Sequence, residues 1–235
     1  MLRQLFRRIH EIERRLSKSF GTDIDTPAGR RAAWWHFHLT DHGILRGLWT
    51  NSEEIAPGVW RSNQPSPARL RRVRRRGIAT ILNLRGRDKF SFYLFEKEAC
   101  DKLGIELIDH KIYARRLVPA ERFLELFEIF DQLEAQKPFL MHCKSGADRA
   151  GLAAALWLMD KEGASLAAAR RMLSLRYVHL SSTQTGILDH LLDVYAADCA
   201  EHPIPIREWF ATRYDPAAIT ASFHAKKGWP PPETA

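Results

Sequence analysis

The sequence predicts an α/β domain: a central, mostly parallel sheet of about four to five strands flanked by helices, preceded by a helical extension. Three observations lead to it. Short apolar strands alternate with helical segments between residues 55 and 143. The runs IATILNL (78–84) and FLMH (139–142) are nearly continuous in apolar residues, as strands covered on both faces are. Beyond residue 150 the chain reads as helical throughout, which supplies cover for one side of the sheet.

The elements follow in order. Leu2, Leu5, Phe6, Ile9, Ile12, Leu16 and Phe20 recur at helical intervals, with basic residues filling much of the rest and Gly21 as a stop. This predicts a basic amphipathic helix over 2–20, which packs on its own domain or touches a membrane surface peripherally; both readings stay open. Thr26 as cap and Pro27 in the first turn open a helix through Trp34, Trp35 and Phe37. Val59-Trp60 reads as a short strand and Arg61–Pro65 as a loop. Ser66-Pro67 then starts a helix through Arg76 that Gly77 ends. The strand Ile78–Leu84 leads to a helix near Leu94–Leu103, a strand Ile105–Ile112 and the loop Tyr113–Val118. Pro119 opens a helix carrying Phe123, Leu126, Phe127, Phe130 and Leu133, and Phe139–His142 is the next strand. The expected organisation is an extension over 1–50, a main domain over 51–202, and a C-terminal extension over 203–235 at the periphery.

Of 235 residues, 45% are hydrophobic and 10% aromatic, which fits a globular chain. The net charge of +8 suits an anionic partner or simply a basic soluble protein. Arg69, Arg71, Arg72 and Arg74–Arg76 flank Leu70 and Val73, whose spacing makes them the inward face, so the arginines describe a solvated surface. Nucleic acid is not the expected partner, since no interleaved aromatics or recognisable module accompany the charge. No apolar run approaches the roughly 18–20 residues of a membrane span. The N-terminus lacks a secretory apolar block, and Glu11 and Glu13 argue against a transit peptide. Three distant cysteines, Cys100, Cys143 and Cys199, fit a reducing compartment, so the expected location is cytoplasmic, peripheral at the inner face of the membrane if residues 2–20 bind there. His36, His38 and His42 with Asp41 lack a second ligand cluster, and neither a metal nor another cofactor is expected.

LMHCKSGADRAGL, residues 140–152, sets Cys, Lys, Asp and Arg between a strand and a helix. That is where ligands bind in α/β sheets, beyond the carboxyl ends of strands. Five residues between Cys143 and Arg149 suffice to curl successive backbone N–H groups around one centre, at the positive end of the following helix. Lys144, Ser145, Gly146 and Ala147 would bind a dianionic phosphate there without a metal, and the same field favours the Cys143 thiolate as nucleophile. Arg149 adds a planar fork that matches two phosphoryl oxygens, Gly146 permits the bend, and His142 orients the loop.

With these residues the chain resembles the cysteine-based phosphatases, the protein tyrosine and dual-specificity superfamily. HCKSGADRAG (142–151) matches their His-Cys-x5-Arg signature. RSNQPSPARLRRVRRRGIATILNLRG (61–86) looks like the compact bacterial and fungal dual-specificity-like members. The resemblance implies a phosphatase-like sheet and a two-step reaction through a phosphocysteine. Two departures stand out. Ala150 replaces the Ser or Thr that usually follows the signature Arg and helps the thiolate leave. The loop 113–118, where the family carries its acid, contains no carboxylate. The candidates for general acid are Asp148, similar to the loop Asp of certain lipid-active and phosphoinositide phosphatases, and Asp109.

The expected activity is phosphomonoester hydrolysis on phosphotyrosine protein or on an anionic phosphorylated small molecule or lipid headgroup. Lys144, Arg115 and Arg116 lean towards the more anionic substrates, and triphosphate RNA is a lesser alternative. Two other classes stay open: a catalytically impaired phosphate-binding module, for which Ala150 argues, and a rhodanese-like sulfurtransferase, against which Arg149 argues. Gln184 reads as part of a helix-capping segment before ILDHLLDVYAADC.

Overall fold

A computed structural model describes residues 20–201 and 203–231. The helix predicted over 2–20 lies, apart from Phe20, outside the described residues. The chain begins with α1 (Pro27–Trp35), a π-helical turn (His36–Thr40) and α2 (Gly43–Leu48). A hairpin follows, β1 (Glu53–Ala56) and β2 (Val59–Asn63), then α3 (Pro67–Arg75), β3 (Thr80–Asn83), α4 (Ser91–Leu103) and β4 (Glu106–Asp109). Next come α5 (Ala120–Glu134), β5 (Phe139–Cys143), α6 (Asp148–Asp160) and the short α7 (Leu166–Ala169). The last helices are α8 (Ile187–Glu201), α9 (Ile206–Thr212) and α10 (Pro216–Lys227).

The five strands form one sheet in the order β1-β2-β5-β3-β4, with β1 antiparallel to β2 and the other pairs parallel. This is the mostly parallel α/β sheet that the alternation predicts. β5 lies in the middle, and all five of its residues are buried. Its side chains alternate between two cores, as strand geometry requires. Phe139, Met141 and Cys143 join the larger core with Phe127, Phe130 and Trp157 of α5 and α6. Leu140 faces the smaller core, with Leu70 of α3, Ile81 of β3 and Cys100 of α4.

Capping at Thr26 and Ser66 works as the sequence suggests: Thr26 accepts from the Gly29 amide and Ser66 from the Arg69 amide. Asp215 likewise accepts from the amides of Ala217 and Ala218. On α3, Leu70 is buried while Arg71, Arg72 and Arg74–Arg76 are exposed, and Arg69 turns back to donate to Asn63 Oδ1. β1 has no clear signature, because a four-residue edge strand with half-exposed side chains carries little apolar pattern. The segment after Pro203 differs from the expectation of a periphery. Trp209, Phe210, Tyr214, Ile219 and Phe223 are buried in the larger core, against Phe123 and Phe127 of α5. The physical reason is apolar burial: Phe123 and Phe127 of α5 find their aromatic partners in Phe210 and Tyr214 of the C-terminal segment.

Candidate active site

The loop between β5 and α6 is shaped from behind. The carbonyl of Lys144 accepts from the Gln64 amide (3.4 Å), and that of Ser145 from Asn51 Nδ2 (2.9 Å). The carbonyls of Gly146 and Ala147 both accept from one guanidinium nitrogen of Arg61. Arg61 is wholly buried; its other terminal nitrogen donates to Met172 O (2.8 Å), and its plane lies 3.7 Å from the centre of the Tyr177 ring. With four successive carbonyls turned outward, peptide planarity turns the following N–H groups inward, and the loop becomes an anion nest. One of those amides, at Ala147, also meets Ser145 Oγ at 3.3 Å.

Glycine is required at two positions here. Gly146 has φ of +73°, and a Cβ on it would fall 2.5 Å from the Asn63 amide nitrogen. A Cβ on Gly151 would fall 2.6 Å from Met172 O, so this residue lets α6 close onto the segment that Arg61 also holds.

Cys143 ends β5, 1% exposed. Arg149 stands in the first turn of α6, and among the described residues its buried Nε has no hydrogen-bond partner. Burial pushes its pKa down, against the opposing pull of Cys143 and then Asp148. An unpartnered buried guanidinium N–H is a place for an anion's oxygen. His142 is fully buried, with Nε2 2.9 Å from Glu96 Oε1. Glu96 accepts from Gln64, Gln64 accepts from Arg85, and Arg85 makes a two-pronged contact with Asp41 (2.8 and 3.0 Å). Asp41 also receives Arg46 and lies 3.4 Å from Lys144 Nζ. Burial alone would raise the Asp41 pKa, but Arg85, Arg46 and Lys144 outweigh it and hold the carboxyl well below its usual range. Lys144 is pushed down by burial, with Asp41 opposing.

A cavity of ≈ 670 Å³ opens in front of the loop, lined by Lys144, Ser145, Asp148 and Arg149 together with Arg115 and Arg116. Arg116 stacks 3.7 Å from the Tyr113 ring centre, and Leu45 and Trp49 form an apolar side of the mouth. The two acid candidates separate. Asp148 lines the cavity, its Oδ1 2.7 Å from His179 Nδ1. Asp109 does not line it: its carboxylate accepts from Asn83 Nδ2 (2.8 Å) and the Tyr93 hydroxyl (2.7 Å), with Arg87 at 3.8 Å. Thr183 caps the turn at Gln184–Gly186 before α8. His36, His38, His42 and Asp41 form no metal cluster; among the described residues no group of three or more His, Cys, Asp or Glu is placed to hold a metal ion.

A signature loop of this shape, at the carboxyl end of the middle strand of such a sheet, agrees with the comparison by sequence. Residues 42–187 match the family described as DSP-PTPase phosphatase fused to NAD+ kinase. The chain belongs to this family. The match covers the sheet, the loop and the cavity of this DSP-PTPase phosphatase domain, together with His179. Among solved structures, TpbA of P. aeruginosa has 21% identity and a TM-score of 0.49, covering 64% of this chain and 91% of its own. Tk-PTP in its active form has 23% identity and a TM-score of 0.49, covering 66% and 99%. PTPMT1 has 15% identity and a TM-score of 0.48, covering 64% and 99%. No curated protein matches the chain in a sequence comparison.

Reading the sequence missed the residues behind the DSP-PTPase loop. Arg61 and Glu96 lie in β2 and α4, and Asn51, Gln64 and Arg85 in three separate connections, and nothing local marks them. Arg61 reads from sequence as the start of a loop, whereas it sits in the middle of β2, which runs on to Asn63. His179 and Asp189 left no trace.

Proposed function

We propose that this chain is a phosphomonoester hydrolase working through a phosphocysteine. The observation that carries the reading is the set of outward carbonyls at 144–147, each taken by a donor behind the loop, in front of which Arg149 Nε has no partner among the described residues. Inward amides and a planar guanidinium match the oxygens of a phosphoryl group, so these residues hold its charge. Cys143 forms the S–P bond as the P–O bond to the leaving group breaks, and the leaving oxygen takes a proton from Asp148. Water then attacks phosphorus, Asp148 takes its proton, and the S–P bond breaks to release inorganic phosphate and the thiolate. Arg115, Arg116 and Lys144 around the cavity support a substrate with charge beyond the reacting phosphate. An anionic phosphorylated small molecule or lipid headgroup fits that description better than phosphotyrosine in protein.

Hydrolysis of p-nitrophenyl phosphate is expected, and Cys143→Ser abolishes it. A chain that instead accumulates a stable phosphocysteine without turnover is the impaired module to which Ala150 points. Asp148→Asn is expected to lose about 10²–10⁴-fold on phenyl phosphate, a poor leaving group, and little on p-nitrophenyl phosphate. Asp109→Asn is expected to lose little on either, and the reverse pattern returns the role of acid to Asp109.

A further inference from the structure

Beneath the cavity, His179 joins two carboxylates. Its ring is 2% exposed, with Nδ1 2.7 Å from Asp148 Oδ1 and Nε2 2.7 Å from Asp189 Oδ2. Asp148 opens α6 and lines the cavity, Asp189 sits in the first turn of α8, and His179 comes from the segment between them. An imidazole with one proton satisfies only one of these contacts as a donor. Both are satisfied when the ring carries two N–H groups and is cationic. A buried imidazole shared by two carboxylates, one of them lining the cavity, is more than packing needs.

We propose that His179 is the positioning residue for Asp148 and the store of the proton that Asp148 delivers. This rests on the reading of Asp148 as general acid. As the P–O bond breaks, the Asp148 carboxylate takes the Nδ1 proton of His179 and passes it to the leaving oxygen, so Asp148 ends ionised as it began and the ring is left neutral, still donating through Nε2 to Asp189. When water attacks the thiophosphate, Asp148 takes the water's proton and Nδ1 recovers its own. No proton is gained or lost over the cycle except that of water. The relay also answers how a carboxylate beside phosphate oxygens is ready to act as an acid, since the proton waits on the ring behind it.

Burial works against the charged ring, but the hydrogen bonds to Asp148 and Asp189 overcome it and raise the His179 pKa to about 9. Those two carboxylates, from α6 and α8, are the charged groups that face the ring among the described residues. Arg149 and Arg115 stand with Asp148 around the cavity. Because the relay needs the protonated ring, the rate on a poor leaving group falls as pH rises through about 9.

The test uses the full chain with phenyl phosphate and p-nitrophenyl phosphate. His179→Gln is expected to lose about 10–100-fold in kcat on phenyl phosphate and under about threefold on p-nitrophenyl phosphate, with KM unchanged. The double variant His179→Gln/Asp148→Asn should be no slower than Asp148→Asn alone. A structural role would slow both substrates alike and add to the Asp148 loss, and that result overturns the proposal. Asp189→Asn, which leaves His179 and Asp148 in place, is the second arm. It should move the alkaline limb on phenyl phosphate to lower pH, and an unmoved limb overturns the relay even if His179→Gln fails to fold. If Asp148→Asn itself shows no dependence on leaving group, it is the assignment of Asp148 as acid that fails.

Discussion

Gly146 is constrained twice, by a left-handed backbone and by the Asn63 amide against which its α-carbon rests. The second constraint does not relax without moving β2 away from β5, because Asn63 pairs with Cys143 in the sheet register. Gly146→Ala is therefore expected to cost about 1–3 kcal/mol of stability, read by urea unfolding. It should also lower turnover of p-nitrophenyl phosphate by more than the fraction unfolded, since the loop carbonyls lose their alignment with Arg61. A variant with wild-type stability and rate would show that the loop tolerates a side chain there. At this scale the loop from Cys143 to Arg149 was legible, because covalent connection alone gathers its residues. Asp148 carried a signal and Ala150 a warning. His179 carried neither, because its meaning lies in two partners that the fold delivers.

Among the elements, the stretch from the π-helical turn to α2 has the least obvious reason to sit where it does. Phe37 of the π-helical turn packs on Phe95 of α4, but Leu45, Leu48 and Trp49 of the part nearer the loop are exposed. Asp41 ties it to the loop: it meets Arg85 after β3, Arg46 of α2 and Lys144 of the loop. Asp41→Asn leaves three cations without their buried counter-charge and is expected to cost about 3–5 kcal/mol, measured by urea unfolding at neutral pH. The sign with pH follows from the lowered pKa. Its stabilisation is fully present above the usual carboxylate range and is lost as pH falls through the native value. The wild type should thus lose stability on acidification more steeply than the variant, and equal slopes would contradict the pairing. The histidines of this stretch invited a metal reading from sequence, whereas Asp41 beside them is the residue that the tertiary structure uses.

At the scale of the molecule, two cores lie on opposite faces of one sheet, and the larger is completed only after the domain's family resemblance has ended. Trp209 is wholly buried, packed on Tyr195 and Phe210, with its indole N–H donated to Asp198. Trp209→Ala is expected to cost about 3–5 kcal/mol, comparable with Trp157→Ala beside β5. A loss under about 1 kcal/mol would mean that the C-terminal helices are ornament. The strand and helix alternation made the class of fold readable, since period 2 and period 3.6 burial are written into adjacent residues. The edge strand β1 and the role of the last helices were not, because both depend on which surface a neighbour leaves uncovered. The sequence by itself determined the mostly parallel sheet, the helix caps and a phosphate-shaped loop at the end of a strand. The caps and the loop arise from contacts among residues close along the chain, and the class of sheet from burial patterns written into each strand, although the strands themselves pair across the chain, as Val59 does with Phe139. Only the tertiary structure decided that Arg61 and Asn51 hold that loop open, that Asp109 is committed to Asn83 and Tyr93, and that Asp148 rests on His179. Each of those joins residues far apart in sequence, and a distance across the fold is set by packing rather than by local pattern.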